Sequence, residues 1–242
     1  MPSLNERQMI LVAEQLLQAR LGPSLQTRTV TIGAHRAAHP RDMIEPICRA
    51  IRSGHDQWRQ QARFEGVVIN GPQASGGRLV GPPLGPLIRN ALRTHGSGDA
   101  LERFGWAVAA ALGDAWGRFT TSARVPALPW YPSFAAVPAA QAPPTPNVPT
   151  PLSACTFDRS PLEPIRLLEA MKREFGARDP SSGPLFEAVA RAFVTAVDLW
   201  LPAQMVANVI GQGPVPSHAP PYVPTGPVLM GTVVPSGSHL ST

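Results

Sequence analysis

Apolar residues recur at helical spacing in three long segments of the chain. From Met43 to Gln60 they are Ile44, Ile47, Cys48, Ile51 and Trp58. From Asp99 to Phe119 they are Leu101, Phe104, Val108, Leu112, Ala115, Trp116 and Phe119. From Pro184 they are Phe186, Val189, Phe193, Val197, Trp200 and Leu201. A stripe that returns every three to four positions predicts an amphipathic helix with one buried side. Pro184 suits a first helical position, where a missing N–H costs nothing. Each long helix carries a tryptophan near its C-terminal end.

Shorter helices are predicted before the long ones. PLIRNALRTHG and PLEPIRLLEAMKREFG end on Gly96 and Gly176, and glycine is the usual residue at the left-handed position that stops a helix. Leu4 to Leu21, stopped by Gly22-Pro23, is the counterpart at the start of the chain. The alternating TRTVTIG, Thr27 to Gly33, reads as a short strand.

The segments after the tryptophans share a rhythm. Pro72 lies fourteen positions after Trp58, Pro214 fourteen after Trp200, and Trp130, between Pro129 and Pro132, fourteen after Trp116. The chain therefore reads as three divergent copies of short helix, long helix, tryptophan and Pro/Gly-rich arm, at residues 1–85, 86–155 and 156–242. The expected fold is mainly α, with extended arms and a few short strands. The tryptophans lie 58 and then 84 residues apart, which is too irregular for a stacked solenoid.

The arms are valine-rich or aromatic, so they have apolar area to bury, and proline reduces the entropy lost when they order. Core or interface candidates are Trp58, Trp116, Trp130, Trp200, Tyr131, Tyr222, Val223, Val228 and Met230. Gly211 to Val234 is expected to run extended and to leave its own subunit. Pro138 to Ser153, with few bulky residues, reads as a semi-rigid linker whose P-x-x-P spacings also suit an SH3-type groove.

Composition changes this picture modestly. With 29 prolines and 21 glycines among 242 residues, the chain falls between globular and low-complexity usage. Its net charge is +5, and Lys172 is its only lysine. The arginines are scattered rather than clustered, so nucleic acid is not an expected partner. Cys48 and Cys155 are too few and too far apart for a zinc site and read as free thiols of a reducing cytoplasm. No signal peptide and no membrane span are read from the chain.

No catalytic signature emerges. His35 and His39 lack the glutamate of a zinc protease motif, and Pro40 follows them. His55 reads as a boundary residue of its helix. Ser217–His218 and Ser238–His239 are adjacent pairs, unable to face each other as nucleophile and base. GQGPVP and GPQASGGR lack the residues that cradle phosphates. The expectation is a non-enzymatic structural protein without cofactor, binding copies of itself and other subunits of a phage-like virion or contractile tail. Interfaces of that kind favour Arg, Trp, Tyr and Met over Lys. The alternative is a cytoplasmic proline-rich adaptor.

Overall fold

Helix α4 (Asp99–Thr121) buries Phe104, Val108, Leu112, Trp116 and Phe119 along one side, as the apolar stripe requires. The other long helices are α2 (Pro40–Arg59) and α6 (Gly183–Ala203), and the short ones are α1 (Glu6–Leu21), α3 (Leu84–His95) and α5 (Pro164–Phe175). The computed structural model describes residues 3–21, 40–95, 98–132, 141–176, 182–216, 218–219, 223–224 and 226–241. Helix α5 stops at Gly176, whose φ is 66° and whose N–H donates to the Lys172 carbonyl. Gly96 and the segment Thr27–Gly33 lie outside the described residues.

The helices pack in a closed cycle. Helix α1 lies against α2 and α6, α3 against α2 and α4, and α5 against α4 and α6. The long helices α2, α4 and α6 meet in the middle through Trp58, Trp116 and Trp200. Helices α3 and α4 approach until their backbones touch, because a Cβ on Gly113 would lie 2.6 Å from the Gly85 nitrogen. Gly113→Ala is therefore expected to destabilise the protein by about 1–3 kcal/mol, since neither backbone can yield. Gly117, one turn later, has nothing within 4 Å of the same position. Gly117→Ala should stabilise by up to about 1 kcal/mol through helix propensity. Chemical denaturation of the two variants checks the contrast.

The remainder of the chain is not a set of loose arms. Strands β1 (Arg63–Asn70) and β2 (Gln73–Val80), eight residues each, form a hairpin. Its two-residue loop begins at Gly71 with φ 57°, the position where a II′ turn needs glycine, while Pro72 excludes the I′ alternative. The facing Gly66 and Gly77, at φ 67° and 76°, interrupt the ladder without shifting its register. Such interruptions increase twist and allow a sheet to curl.

Strands β3 (Val125–Pro129), β4 (Thr145–Pro146), β7 (Ile210–Gln212) and β10 (Gly231–Val233) complete a six-stranded antiparallel sheet in the order β3-β2-β1-β10-β7-β4, curled into a half-barrel. Strands β5 (Thr150–Pro151), β6 (Met205–Val206) and β11 (Leu240–Ser241) form a smaller sheet, and β8 (His218–Ala219) pairs with β9 (Val223–Pro224). Of the described residues, 55% are helical and 20% lie in strands. This overturns the expectation of a mainly α fold with three repeated arms. The arms do not stay with their own helix pairs, because strands from all three segments interleave in one sheet.

The sheet ends are blunted. The edge strand β3 carries Pro126 and Pro129, and the opposite edge β4 carries Pro146. Proline offers no N–H to an incoming strand, which discourages edge-to-edge pairing.

The segment read as a linker is built in as well. The Asn147 backbone N–H donates to the Val209 carbonyl, its Oδ1 accepts the Val209 N–H at 2.9 Å, and its Nδ2 donates to the Val206 carbonyl at 3.0 Å. Pro146 pairs with Ile210 in the ladder. A polar side chain that imitates a strand's hydrogen bonds fixes a proline-rich stretch that cannot supply enough of its own.

The C-terminal arm runs extended, without helix among its described residues, but it turns back into its own chain. Val215 and Val228 are buried. Met230, also expected to touch protein, is 69% exposed. Tyr222 lies outside the described residues. Val223 is described only through its backbone, which pairs with Ala219.

Candidate functional site

The apolar positions of α2 include Ile44, Cys48, Ile51 and Trp58, and His55 falls on the same face between the last two. Helix α2 therefore carries an imidazole into the centre of the helical layer, where it is fully buried. The His55 ring centroid lies 5.7 Å from Trp58, 5.1 Å from Trp116 and 4.7 Å from Trp200, the last two edge-on. Trp58 and Trp116 also meet at right angles, 4.9 Å apart. The reading of His55 as a helix boundary is thereby corrected: it is the hub on which the three long helices converge.

Among the described residues, neither His55 nitrogen has a hydrogen-bond partner, and the Trp116 indole N–H is likewise unpartnered and buried. Burial, with the nearby Arg59 charge adding to it, pushes the His55 pKa down to about 3. The imidazole is accordingly neutral at pH 7. An indole cage of this shape would suit a cation, but here the protein's own neutral ring fills it.

A groove of about 480 Å³ runs along the outside of this cluster, between the β2–α3 connection and the C-terminal half of α4. Trp58, Gly81, Pro82, Trp116, Gly117 and Arg118 contribute to its walls. The indoles separate it from His55, so the imidazole has no route to a molecule in the groove.

A second histidine lies where the helices meet the sheet. His239 Nε2 is 2.7 Å from Ser236 Oγ, and His239 Nδ1 accepts the Phe64 backbone N–H at 2.7 Å. A serine beside a histidine, itself oriented by a third group, has the outline of a nucleophile–base pair. The direction of the bonds is the reverse of what catalysis needs. Because Phe64 donates to Nδ1, the proton must sit on Nε2, which then donates to Ser236. Ser236 in turn donates to the Asn208 carbonyl at 3.0 Å. A general base needs a free lone pair at Nε2 and an acceptor for Nδ1–H. This pair is a structural clamp.

The sequence offered Ser238 as the neighbour of His239, and the structure substitutes Ser236, three positions away. Ser238 Oγ instead donates to the Arg59 carbonyl at 2.8 Å. Burial lowers the His239 pKa to about 4, with Arg63 contributing. Cys48 and Cys155 are free, buried thiols pushed up to about 12 by burial, which leaves little reactive thiolate.

The aromatic candidates fall into two groups. Trp58, Trp116 and Trp200 form the cage, whereas Trp130 packs edge-on against Phe64 at 5.3 Å, inside the sheet. The neighbouring Tyr131 hydroxyl donates to the Val209 carbonyl at 3.1 Å, and burial raises its pKa. Among the described residues, no group of three or more His, Cys, Asp or Glu could hold a metal ion, and no helix is long and apolar enough to cross a membrane. Comparison with protein-family models, curated proteins and solved structures gives no match.

Proposed function

We propose that the chain is a non-enzymatic structural subunit that binds copies of itself and other subunits within a larger particle. The observation that carries this reading is an apolar rim at one end of the half-barrel. Pro72, Pro129, Val148, Pro227, Leu229 and Met230 are all exposed there, with Leu229 at 42% and Met230 at 69%. No charged residue occurs in 70–73, 127–132 or 226–230.

The rim is held by backbone bonds. Gly71 N–H donates to Val228 O at 2.7 Å, Tyr131 N–H to Pro72 O at 2.9 Å, and Leu229 N–H to Pro214 O at 3.1 Å. Met230 adopts φ 55°, a left-handed conformation that costs a side-chain-bearing residue about 1–2 kcal/mol. Its N–H donates to Asn70 Oδ1 at 2.9 Å, which holds it there. A strained position that turns methionine toward solvent suits contact with another protein, for which methionine is an adaptable surface. The adaptor reading is disfavoured because Pro146, shared by the P-x-x-P spacings Pro143–Pro146 and Pro146–Pro149, is occupied within the chain's own sheet.

Light scattering during size-exclusion chromatography tests the proposal. The mass should rise with concentration, and Met230→Asp should return it to the monomer without lowering the melting temperature. Met230→Gly should weaken association and leave stability equal or raised by about 1 kcal/mol, since glycine relieves the strained φ at an entropic cost. A monomer at every concentration, unaffected by either substitution, would exclude self-association through the rim.

A further inference from the structure

The segment from Ser236 to Ser241 is fastened to the junction of α2 and β1 by bonds that converge on one side chain. The His239 backbone N–H donates to the Ala62 carbonyl at 2.9 Å. Ser238 holds the Arg59 carbonyl at the end of α2, and Leu240 pairs with Val206 in the small sheet. At the centre, the Phe64 N–H points at His239 Nδ1. A backbone donor has no alternative proton state, so this bond exists only while Nδ1 is unprotonated.

We propose that His239 is an acid-operated latch: with Nδ1 unprotonated it holds the 236–241 segment on the helix–sheet junction, and protonation of that nitrogen releases the segment while the helical layer stays folded. A proton on Nδ1 replaces an acceptor by a second donor facing the Phe64 N–H. The released imidazolium gains water, which the buried position denies it. The charged groups around the site are Arg63 and Glu65 on β1, Arg78 on β2 and Arg59 at the end of α2. Arg63 and Arg78 both pair with Glu65. Neither β6, the 207–209 loop nor the 234–241 segment itself contributes another titratable side chain. The local balance is cationic and disfavours a further positive charge while the latch is shut.

The direction of the pH dependence follows from these contacts. The latched pKa of about 4 lies below the ordinary value for a free histidine, about 6.5. The latch is therefore at full strength above pH 6.5. It weakens as pH falls and reaches its minimum near pH 4. The open-to-closed ratio should rise by up to about two orders of magnitude across that window.

Amide hydrogen exchange of the full chain, followed residue by residue from pH 7 to pH 4 and corrected for intrinsic rates, tests this. Phe64, His239 and Leu240 should lose protection by that factor and should open at a lower free energy than the amides of α4 at every pH. Helix α4 exchanges through global unfolding, which carries the His55 dependence as well. In His239→Asn the side-chain oxygen can occupy the Nδ1 position without titrating, so protection of Phe64 should persist across the window. In His239→Gln the oxygen reaches toward Ser236 instead, and protection should already be low at pH 7. The proposal is overturned if the segment and α4 exchange with the same opening free energy at every pH, or if His239→Asn follows the wild-type profile. Should His239→Asn fail to fold, the ring ¹⁵N shifts of the wild type decide. An Nε2–H tautomer at neutral pH that titrates with the loss of Phe64 protection supports the latch, and an Nδ1–H tautomer refutes it.

Discussion

Trp116→Ala is expected to lower the unfolding free energy by about 3–5 kcal/mol, the range for removing a large buried aromatic side chain. The indole touches more than its own helix. It packs against His55 and Trp58 from α2, Phe119 from α4, and Phe193 and Trp200 from α6. Its loss therefore loosens all three long helices at once. It would also open the 480 Å³ groove toward His55. Urea denaturation should show a lower midpoint with an unchanged slope, provided that unfolding stays two-state. Water admitted to the imidazole should raise the His55 pKa toward the ordinary value. A loss below about 1 kcal/mol would mean that the cage is not a load shared by the three helices.

His55→Leu is expected to act in the opposite direction. Leucine nearly matches the imidazole in volume and has no polar atoms to leave unpaired. Removing a buried group with unmet hydrogen-bonding capacity should stabilise the protein by about 1–3 kcal/mol at pH 7. The advantage should grow in acid. The buried ring has a pKa near 3, whereas the unfolded chain's histidine protonates near 6.5. The wild type consequently holds this contribution in full above pH 6.5 and loses it as pH falls toward 3, at about 1.4 kcal/mol per pH unit. The leucine variant lacks that slope. Acid titrations of the two proteins, followed by circular dichroism, should separate progressively below pH 6.5. If they run parallel, the ring is solvated or partnered in solution.

The helices were legible because each carries its own evidence. The stripes of α2, α4 and α6 and the stop at Gly176 depend on residues within one turn of each other. Strand β2 shows why the sheet was not. Its sequence, QASGGRLV, loses alternation at Ser75, Gly76 and Gly77, so it reads as a loop although it pairs along its length with β1. Strand β10 is only three residues long and owes its place to β1 and β7. No local pattern announces such partners. His55 was readable in principle, since Ile44, Cys48, Ile51, His55 and Trp58 follow each other at steps of four and three. Its polarity concealed a position that its spacing revealed. The pairing of His239 with Phe64 joins residues 175 apart, and nothing in the neighbourhood of either predicts it.

The placement of β10 between β1 and β7 has a consequence for how the chain is made. One long side of the first hairpin is completed by residues 231–233, and the bond from Met230 to Asn70 closes a span of 160 residues. During synthesis, β1 can pair with β2 at once, but the side of Val68 and Ile69 that faces β10 has no native partner yet in existence. At ribosomal rates the wait is roughly ten to thirty seconds. Through that interval the hairpin offers an open strand to any neighbour on the same message, and the prolines at the finished edges give it no protection. Crowded translation is thus the moment at which this fold is most exposed to pairing with the wrong copy.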